Sequence, residues 1–407
     1  MPEIAVTPAV LAREAAAPDA AEEFSLVLGG PLFQLLRRSR LCDDAMGRIQ
    51  WRIGAAVLIT WAPLLVLSTV QGAAWGAGPA MPFLGDVGCH LRFLVAVPLL
   101  LVAEVLVHRR LRKMVEQFSV RGLVRQSDAP RFAYAIARAR GLRNSALAEV
   151  LIIVLVYAVG ILVVWRRYAT LQTASWYLGS GPGPAHLSLA GLWLVLVSVP
   201  IFQFLLCRWY FRLFIWARLL LRLSRLDLDL EATHPDKAGG LGFLGGSLTA
   251  FVPIAAAQGF LLAGVMANGI FYGGNKLTDY EVEAGAAVVV LVFLFSSPLL
   301  VFAPLLGLVK RRGLAEYGAL AQTYVRTFDR KWFRGQPADE PLIGSSDIQS
   351  LADLGNSFGL VEQMRLVPMS RKALLQFVAA IVAPTLPLAL TMTSAEDLIG
   401  KLVGLVL

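Results

Sequence analysis

The chain is short of charge, of cysteine and of histidine. Asp, Glu, Lys and Arg make up 16% of its 407 residues, hydrophobic types make up 57%, and the mean hydropathy is +0.65. Soluble domains carry roughly a quarter charged residues, so this balance excludes an ordinary soluble domain and implies a polytopic membrane protein. The cysteines, Cys42, Cys89 and Cys207, form no CxxC and leave no structural zinc spacing. The four histidines make no HExxH, which removes the metalloprotease signature. The opening MPEIAVTPAVLAREAAAPDAAEE has neither a basic start nor a sustained apolar run, so it does not read as a signal peptide. Residues 1–23 are expected as a disordered tail rich in Ala, Pro and Glu.

What is present is a series of long apolar runs, at about 53–72, 91–107, 147–165, 187–207, 248–271, 285–309 and 373–393. A spanning helix needs about 20 apolar residues, so most suffice, the second is short, and the last is interrupted by Pro384 and Pro387. The expected fold class is all-α: a transmembrane helix bundle of seven spans, or six if the last is re-entrant, with a helical cytoplasmic layer. With the N-terminus inside, 32 of the 37 Lys and Arg fall in 1–52, 108–146, 208–247 and 310–372. That asymmetry is the positive-inside pattern. It also accounts for the net charge of +9 without a nucleic-acid partner, since basic loops would face an anionic leaflet.

The chain then divides into an interfacial segment 24–52, spans one to six over 53–309 with cytoplasmic loops 108–146 and 208–247, a cytoplasmic segment 310–372, and a last span with an amphipathic tail over 373–407. FSLVLGGPLFQLLRRSR (24–40) reads as an interfacial helix with Arg37, Arg38 and Arg40 among headgroups. RWYFRLFIWARLLLRLSR (208–225) reads as span four running on past the bilayer, with Arg208, Arg212, Arg218, Arg222 and Arg225 at near-helical spacing. In 346–364 the residues Ile348, Leu351, Leu354, Phe358, Val361 and Met364 mark one helical face that must pack on other cytoplasmic helices or on a second subunit. Anionic lipid at the Arg-rich helices and a homo-oligomer are the expected partners.

One loop concentrates chemistry. ATHPDKAGGLGFLGGS (232–247) holds His234, Asp236, Lys237, Gly239, Gly240, Gly242 and Gly245, including a literal GxGxxG. A dinucleotide fingerprint needs a preceding strand and a βαβ unit; here an Arg-rich helix precedes and a span follows, so that reading fails. Glycine amides at the start of the fifth span would still sit at the positive end of a helix dipole, where anions bind. The plainer alternative is a flexible entry turn with Ser247 capping the span. His234 and Asp236 would be two ligands of a divalent ion, with Asp227, Asp229 and Glu231 close by, but solvation or pairing with neighbouring arginines is the simpler use of these acids, so no metal and no cofactor are expected.

Polar residues inside the spans are the remaining candidates. Glu104 and His108 share a face of the second span, and Glu149 opens the third. Intramembrane acids are costly and often functional, although pairing with nearby arginines would also explain them. Gln258, Asn268, Ser296 and Ser297 would line a passage or bond between helices. Gly259, Gly264 and Gly269 make the fifth span thin, and Asp279, Glu281 and Glu283 would give an acidic outer mouth. No Ser/His/Asp arrangement is legible, so no catalytic residue is assigned and an enzyme is the less favoured class.

HPDKAGGLGFL, GSSDIQSLADLGNSF and MRLVP together resemble a family of bacterial polytopic inner-membrane proteins, from about Phe24 to the C-terminus. The resemblance implies a bacterial inner-membrane location and one shared architecture; it brings no substrate and no site residue. The functional expectation is an ion channel or small-solute transporter with the 232–247 loop as a cytoplasmic gate or anion sensor. The rivals are a non-conducting scaffold or sensor, and a membrane-embedded enzyme acting on a phosphorylated or lipid substrate at 227–247.

Overall fold

A computed structural model describes residues 24–31, 48–76, 80–170, 175–178, 186–334 and 346–392, with the backbone alone over 161–170. The expected tail 1–23 and the C-terminal amphipathic helix lie outside the described residues. Among those described the fold is all-α, with isolated bridges and no strand.

The first span is α1 (Ile49–Thr60) and α2 (Ala62–Val70), offset at Trp61. The second runs through α3 (Val87–His90), a π-helical stretch Leu91–Ala96 and α4 (Val97–Val120). α5 (Ala129–Arg143) and α6 (Ala146–Thr170) meet at a bend of 43°. α7 (Leu189–Trp193), a π-helical stretch Leu194–Ser198 and α8 (Val199–Leu223) form one continuous rod. A short α9 (Gly246–Ala250) leads into α10 (Val252–Gly273), then α11 (Glu281–Leu300). α12 (Ala303–Trp332) and α13 (Ser346–Glu362) form a hairpin, and α14 (Arg371–Val382) continues as a 3-10 helix to Met392. Six of these units are long and apolar enough to cross a membrane, and the bent α5–α6 pair makes a seventh if counted as one.

Several boundaries differ from the sequence expectation. The second span, short as an apolar run, is a helix of 34 residues because it continues beyond that run through the basic stretch to Val120. The run 285–309 is divided after Leu300, and Pro304 lies in the first turn of α12. Pro384 and Pro387 do not end the last span but convert it from α to 3-10 geometry. The expected interfacial helix does not begin at Phe24. Residues 24–30 are non-helical bends, and Phe24, Leu26 and Val27 are buried against protein rather than laid in a leaflet. Its remainder, 32–47 with Arg37, Arg38 and Arg40, lies outside the described residues. Ser247 does not cap the fifth span; it is buried within α9.

Proline within a span removes an N–H and strands a carbonyl one turn back, a costly defect in hydrocarbon. At three prolines the bundle meets the stranded carbonyl with a side chain. Pro63 leaves the Ile59 carbonyl, which accepts from Trp193 Nε1 at 3.1 Å. Pro200 leaves Leu196, which accepts from the Tyr157 hydroxyl at 3.3 Å. Pro298 leaves Leu294, which accepts from Ser297 Oγ at 3.0 Å. Ser198 Oγ similarly donates to the Thr60 carbonyl at 2.7 Å beside the Trp61 offset.

α10 is the central element. Its small residues serve close packing: a Cβ at Gly259 would collide with the Ile381 carbonyl of α14, and one at Gly264 would lie 2.8 Å from the Gly88 Cα of α3. The α12–α13 hairpin buries the expected apolar face of α13 in part, with Val361 fully buried and Ile348 left exposed. Asp347 closes its far end, accepting from Lys331 Nζ at 2.7 Å and Trp332 Nε1 at 3.2 Å.

Gly259→Val should therefore cost about 1–3 kcal/mol through overpacking and lower the thermal unfolding midpoint. Gly285→Ala, at a helical position with open space around it, should leave the midpoint unchanged or raise it slightly. Equal behaviour of the two variants would show that the α10–α14 contact is not tight.

Candidate functional site

Five charged side chains from four helices converge toward one end of the bundle. Glu104 stands on α4, Arg52 on α1, Arg208 and Arg212 one turn apart on α8, and Glu149 in the first turn of α6. Counting at 1.5 Å per residue from the far ends of spans two and four puts Glu104 and Arg208 roughly 25–30 Å along their rods, at one common depth. The Glu104 carboxylate is almost fully buried. Its Oε2 pairs with Arg52 Nη2 at 2.5 Å, and its Oε1 pairs with Arg212 Nη1 at 2.8 Å and lies 3.7 Å from Arg208 Nη1. Arg208 Nη2 reaches Glu149 Oε1 at 3.5 Å, and the Arg212 guanidinium lies over the Trp209 ring at 4.7 Å. Three guanidinium groups thus share two carboxylates. Trp209 itself donates to the Leu100 carbonyl at 2.9 Å, which fixes α8 against α4.

Residues 24–30 lie across this cluster as a strap. Phe24 packs against Trp216, one turn beyond Arg212 on α8. Ser25 Oγ accepts the N–H groups of Val27 and Leu28 and lies 2.9 Å from His108 Nδ1. With both lone pairs engaged, its O–H is left to donate to the imidazole. The Ser25 carbonyl accepts from Arg143 Nη1 at 2.7 Å, and Gly30 N–H donates to Asn144 Oδ1 at 3.1 Å. Gly29 and Gly30 have φ of +143° and +89°, and a Cβ at Gly30 would lie 2.9 Å from Glu149 Oε1. Glycine is therefore required where the strap turns over the start of α6.

Of the sequence candidates, Glu104, His108 and Glu149 come together here. Arg52, Arg208, Arg212, Arg143 and Ser25 were not among them. The i,i+4 spacing of Arg208 and Arg212, which repeats that of Glu104 and His108, is the signal that could have pointed to them. The other intramembrane candidates do not join the cluster. Gln258 Nε2 donates to the Tyr210 hydroxyl at 2.8 Å. Asn268 Nδ2 donates to Asp86 Oδ1 at 2.7 Å, where Cys89 N–H and Trp176 Nε1 also converge on that buried carboxylate at 2.8 and 3.0 Å. Ser296 donates to the Val292 carbonyl at 2.6 Å, and Ser297 serves the carbonyl that Pro298 strands. Asp279, Glu281 and Glu283 are exposed around the start of α11, with Asp279 Oδ2 accepting Lys276 N–H at 2.8 Å. Acids there complement the helix dipole.

The 232–247 loop is a folded knot whose glycine amides face inward. Asp236 Oδ1 accepts from Ala238 N–H at 2.8 Å and Gly240 N–H at 3.1 Å, and Oδ2 accepts from Gly242 N–H at 2.7 Å. The anion in the glycine nest is thus the chain's own carboxylate. His234 Nδ1 lies 3.0 Å from Asp236 Oδ1. Lys237, with φ of 55°, bonds Gln363 through Nζ, and its carbonyl accepts Arg365 N–H at 2.8 Å. Arg365 also donates to the Asp236 carbonyl at 2.8 Å and to that of Met369 at 2.7 Å. Gly239 packs near Met364, and Gly245 approaches the Pro368 carbonyl. The loop therefore ties the α8–α10 connection to the α13–α14 connection. Asp227 and Asp229, its acidic neighbours, pair with Arg125 at 2.7 and 3.2 Å. Among the described residues no three His, Cys, Asp or Glu side chains gather as a metal site.

Compared with protein-family models, with curated proteins and with solved structures, the chain finds no match.

Two outcomes are expected. Glu104→Ala, which takes the carboxylate from buried Arg52 and Arg212 and leaves Arg208 only Glu149, should cost about 3–5 kcal/mol, read as a large fall in the unfolding midpoint. The second concerns Asp236. Partial burial pushes its carboxyl up, but the N–H groups of Gly242, Ala238 and Gly240, helped by His234, outweigh this and hold it below the usual aspartate value. Its stabilisation is then complete above the unfolded value of about 3.9 and is lost as pH falls through the lower folded value. Asp236→Asn should lower stability at neutral pH, and its deficit against wild type should shrink below about pH 3.9. A deficit that stays constant with pH would show that the ionised form is not what the amides hold.

Proposed function

We propose that the protein is an ion channel or small-solute transporter and that the Glu104 cluster, rather than the α10–α11 pair, is its ion-handling centre. The observation that carries this reading is the convergence of Arg52, Glu104, Glu149, Arg208 and Arg212 in one buried layer. Buried ion pairs add little net stability compared with apolar packing, and charges within a membrane are expensive. A bundle needing only to be stable would fill that layer with leucine. The excess of basic over acidic groups favours an anionic species. In this reading the protein sits in a bacterial inner membrane with its N-terminus and Arg-rich helices on the cytoplasmic side, where exposed Arg109, Arg110, Arg138 and Arg218 meet anionic lipid, and it works as a homo-oligomer. The Asp236 loop acts as a latch between two cytoplasmic connections, so its part in gating is mechanical.

A second reading is a non-conducting scaffold or sensor. It is favoured by one observation: Gln258, Asn268, Ser296 and Ser297 all have hydrogen-bond partners within the chain.

Reconstitution in liposomes separates the two. K⁺, Cl⁻ and H⁺ fluxes are measured for wild type, Glu104→Gln and, in case that variant is not monodisperse, Glu149→Gln. The transport reading expects wild-type flux that changes by at least about ten-fold in a folded variant, a difference of ~1.4 kcal/mol. No flux under any gradient would overturn it and turn the search to co-purifying partners.

A further inference from the structure

We propose that the position taken by Ser25 is a binding site for an oxyanion, a phosphate or carboxylate group, and that the 24–30 strap occupies it as an internal substitute. The inference rests on reading the Glu104 cluster as the functional centre and names the class of ligand that it takes.

Charge is the first argument. The cluster holds Arg52, Arg208 and Arg212 against Glu104 and Glu149, and Arg143 joins at its cytoplasmic edge. Arg143 meets no carboxylate among the described residues. Its bonds go to the Ser25 carbonyl at 2.7 Å and to Asn144 Oδ1 at 3.1 Å, both neutral acceptors. Hydrogen bonds from guanidinium to an ionised oxygen are roughly twice as strong as those between neutral groups. Among the described residues, basic groups therefore outnumber acidic ones at the site.

Geometry is the second. Ser25 places two oxygens beside two different partners, its carbonyl accepting from Arg143 and its hydroxyl donating to His108. Two oxygens on one small group, facing a guanidinium and an imidazole, are what a phosphate or carboxylate would present. His108 can donate from Nδ1 to such a group by changing tautomer.

The third argument is how the strap is held. It carries no acidic side chain, and its contacts are apolar burial of Phe24, Leu26 and Val27 together with neutral hydrogen bonds. An anion competes with it on favourable electrostatic terms, and displacement of the strap opens the cluster from the cytoplasmic side. Affinity for the anion is lowered by the fraction of time the strap is closed, so weakening the strap should tighten binding.

The test uses the full chain in phosphatidylcholine nanodiscs, titrated with inorganic phosphate by calorimetry. Phe24→Ala loosens the strap without touching a charged group and should bind phosphate about ten-fold more tightly than wild type. Adding Arg143→Gln to Phe24→Ala should remove that gain, whereas Arg143→Lys should keep part of it. Amide exchange over residues 24–30 of the wild type should quicken at saturating phosphate. If the same quickening appears on replacing phosphatidylcholine with phosphatidylglycerol, with no phosphate added, the oxyanion is a lipid headgroup; if phosphate alone produces it, the ligand is a soluble anion. The proposal is overturned if no variant binds phosphate and neither source alters exchange, if Phe24→Ala binds no better than wild type, or if Arg143→Gln leaves affinity unchanged. Flux without phosphate binding would sink this inference and leave the transport reading standing; binding without flux would do the reverse.

Discussion

A single carboxylate organises one half of the bundle. Glu104 draws Arg52 of the first span and Arg208 and Arg212 of the fourth onto the second. Because both Glu104 and Arg208 are nearly excluded from solvent, neither can lose its partners without leaving an uncompensated charge. Helix register follows from this constraint. Sliding any of the three spans by one residue would rotate its charged side chain by about 100° into apolar surroundings. The strap, the start of α6 and Arg143 are then positioned by contacts built outward from that layer.

Elsewhere the bundle solves a different problem, which is irregular backbone in a low-dielectric setting. Offsets, π-helical stretches and prolines interrupt the spans, and each stranded carbonyl at Ile59, Leu196 and Leu294 is met by a Trp, Tyr or Ser donor. Glycines do the complementary work of close approach, with α10 packed directly against backbone of α3 and α14. The polar and small residues of α10 and α11 thus have sufficient structural reasons to be there. That is why the functional reading rests on the cluster, which sets register at a higher cost than apolar packing would.

The glycine-rich loop illustrates how composition and geometry can point in different directions. Its GxGxxG amides have the character of an anion nest, and an anion is present, but it is Asp236 of the same loop. The loop's neighbour in space is the Arg365 turn more than a hundred residues later, and the two together make one joint.

Much of this was legible in the amino-acid sequence, and the reason is solvent. Apolar runs of spanning length, the crowding of Arg and Lys into alternate loops, the long fourth-span rod and the cost of Glu104 all follow from water and hydrocarbon acting on each segment separately. These forces need no knowledge of what a segment touches. The pairing of Arg208 and Arg212 with Glu104 did not follow, since near-helical arginines look the same on a lipid-facing surface and inside a cluster. Nor did the inward turn of Phe24, Leu26 and Val27, whose apolar side chains satisfy a leaflet and a protein groove equally well. Asp236 could not be matched to its amides because the loop had to close first. What tertiary structure alone decided was which buried charge meets which, because electrostatic partners depend on distance in space, and helices far apart in the chain set that distance only when they pack.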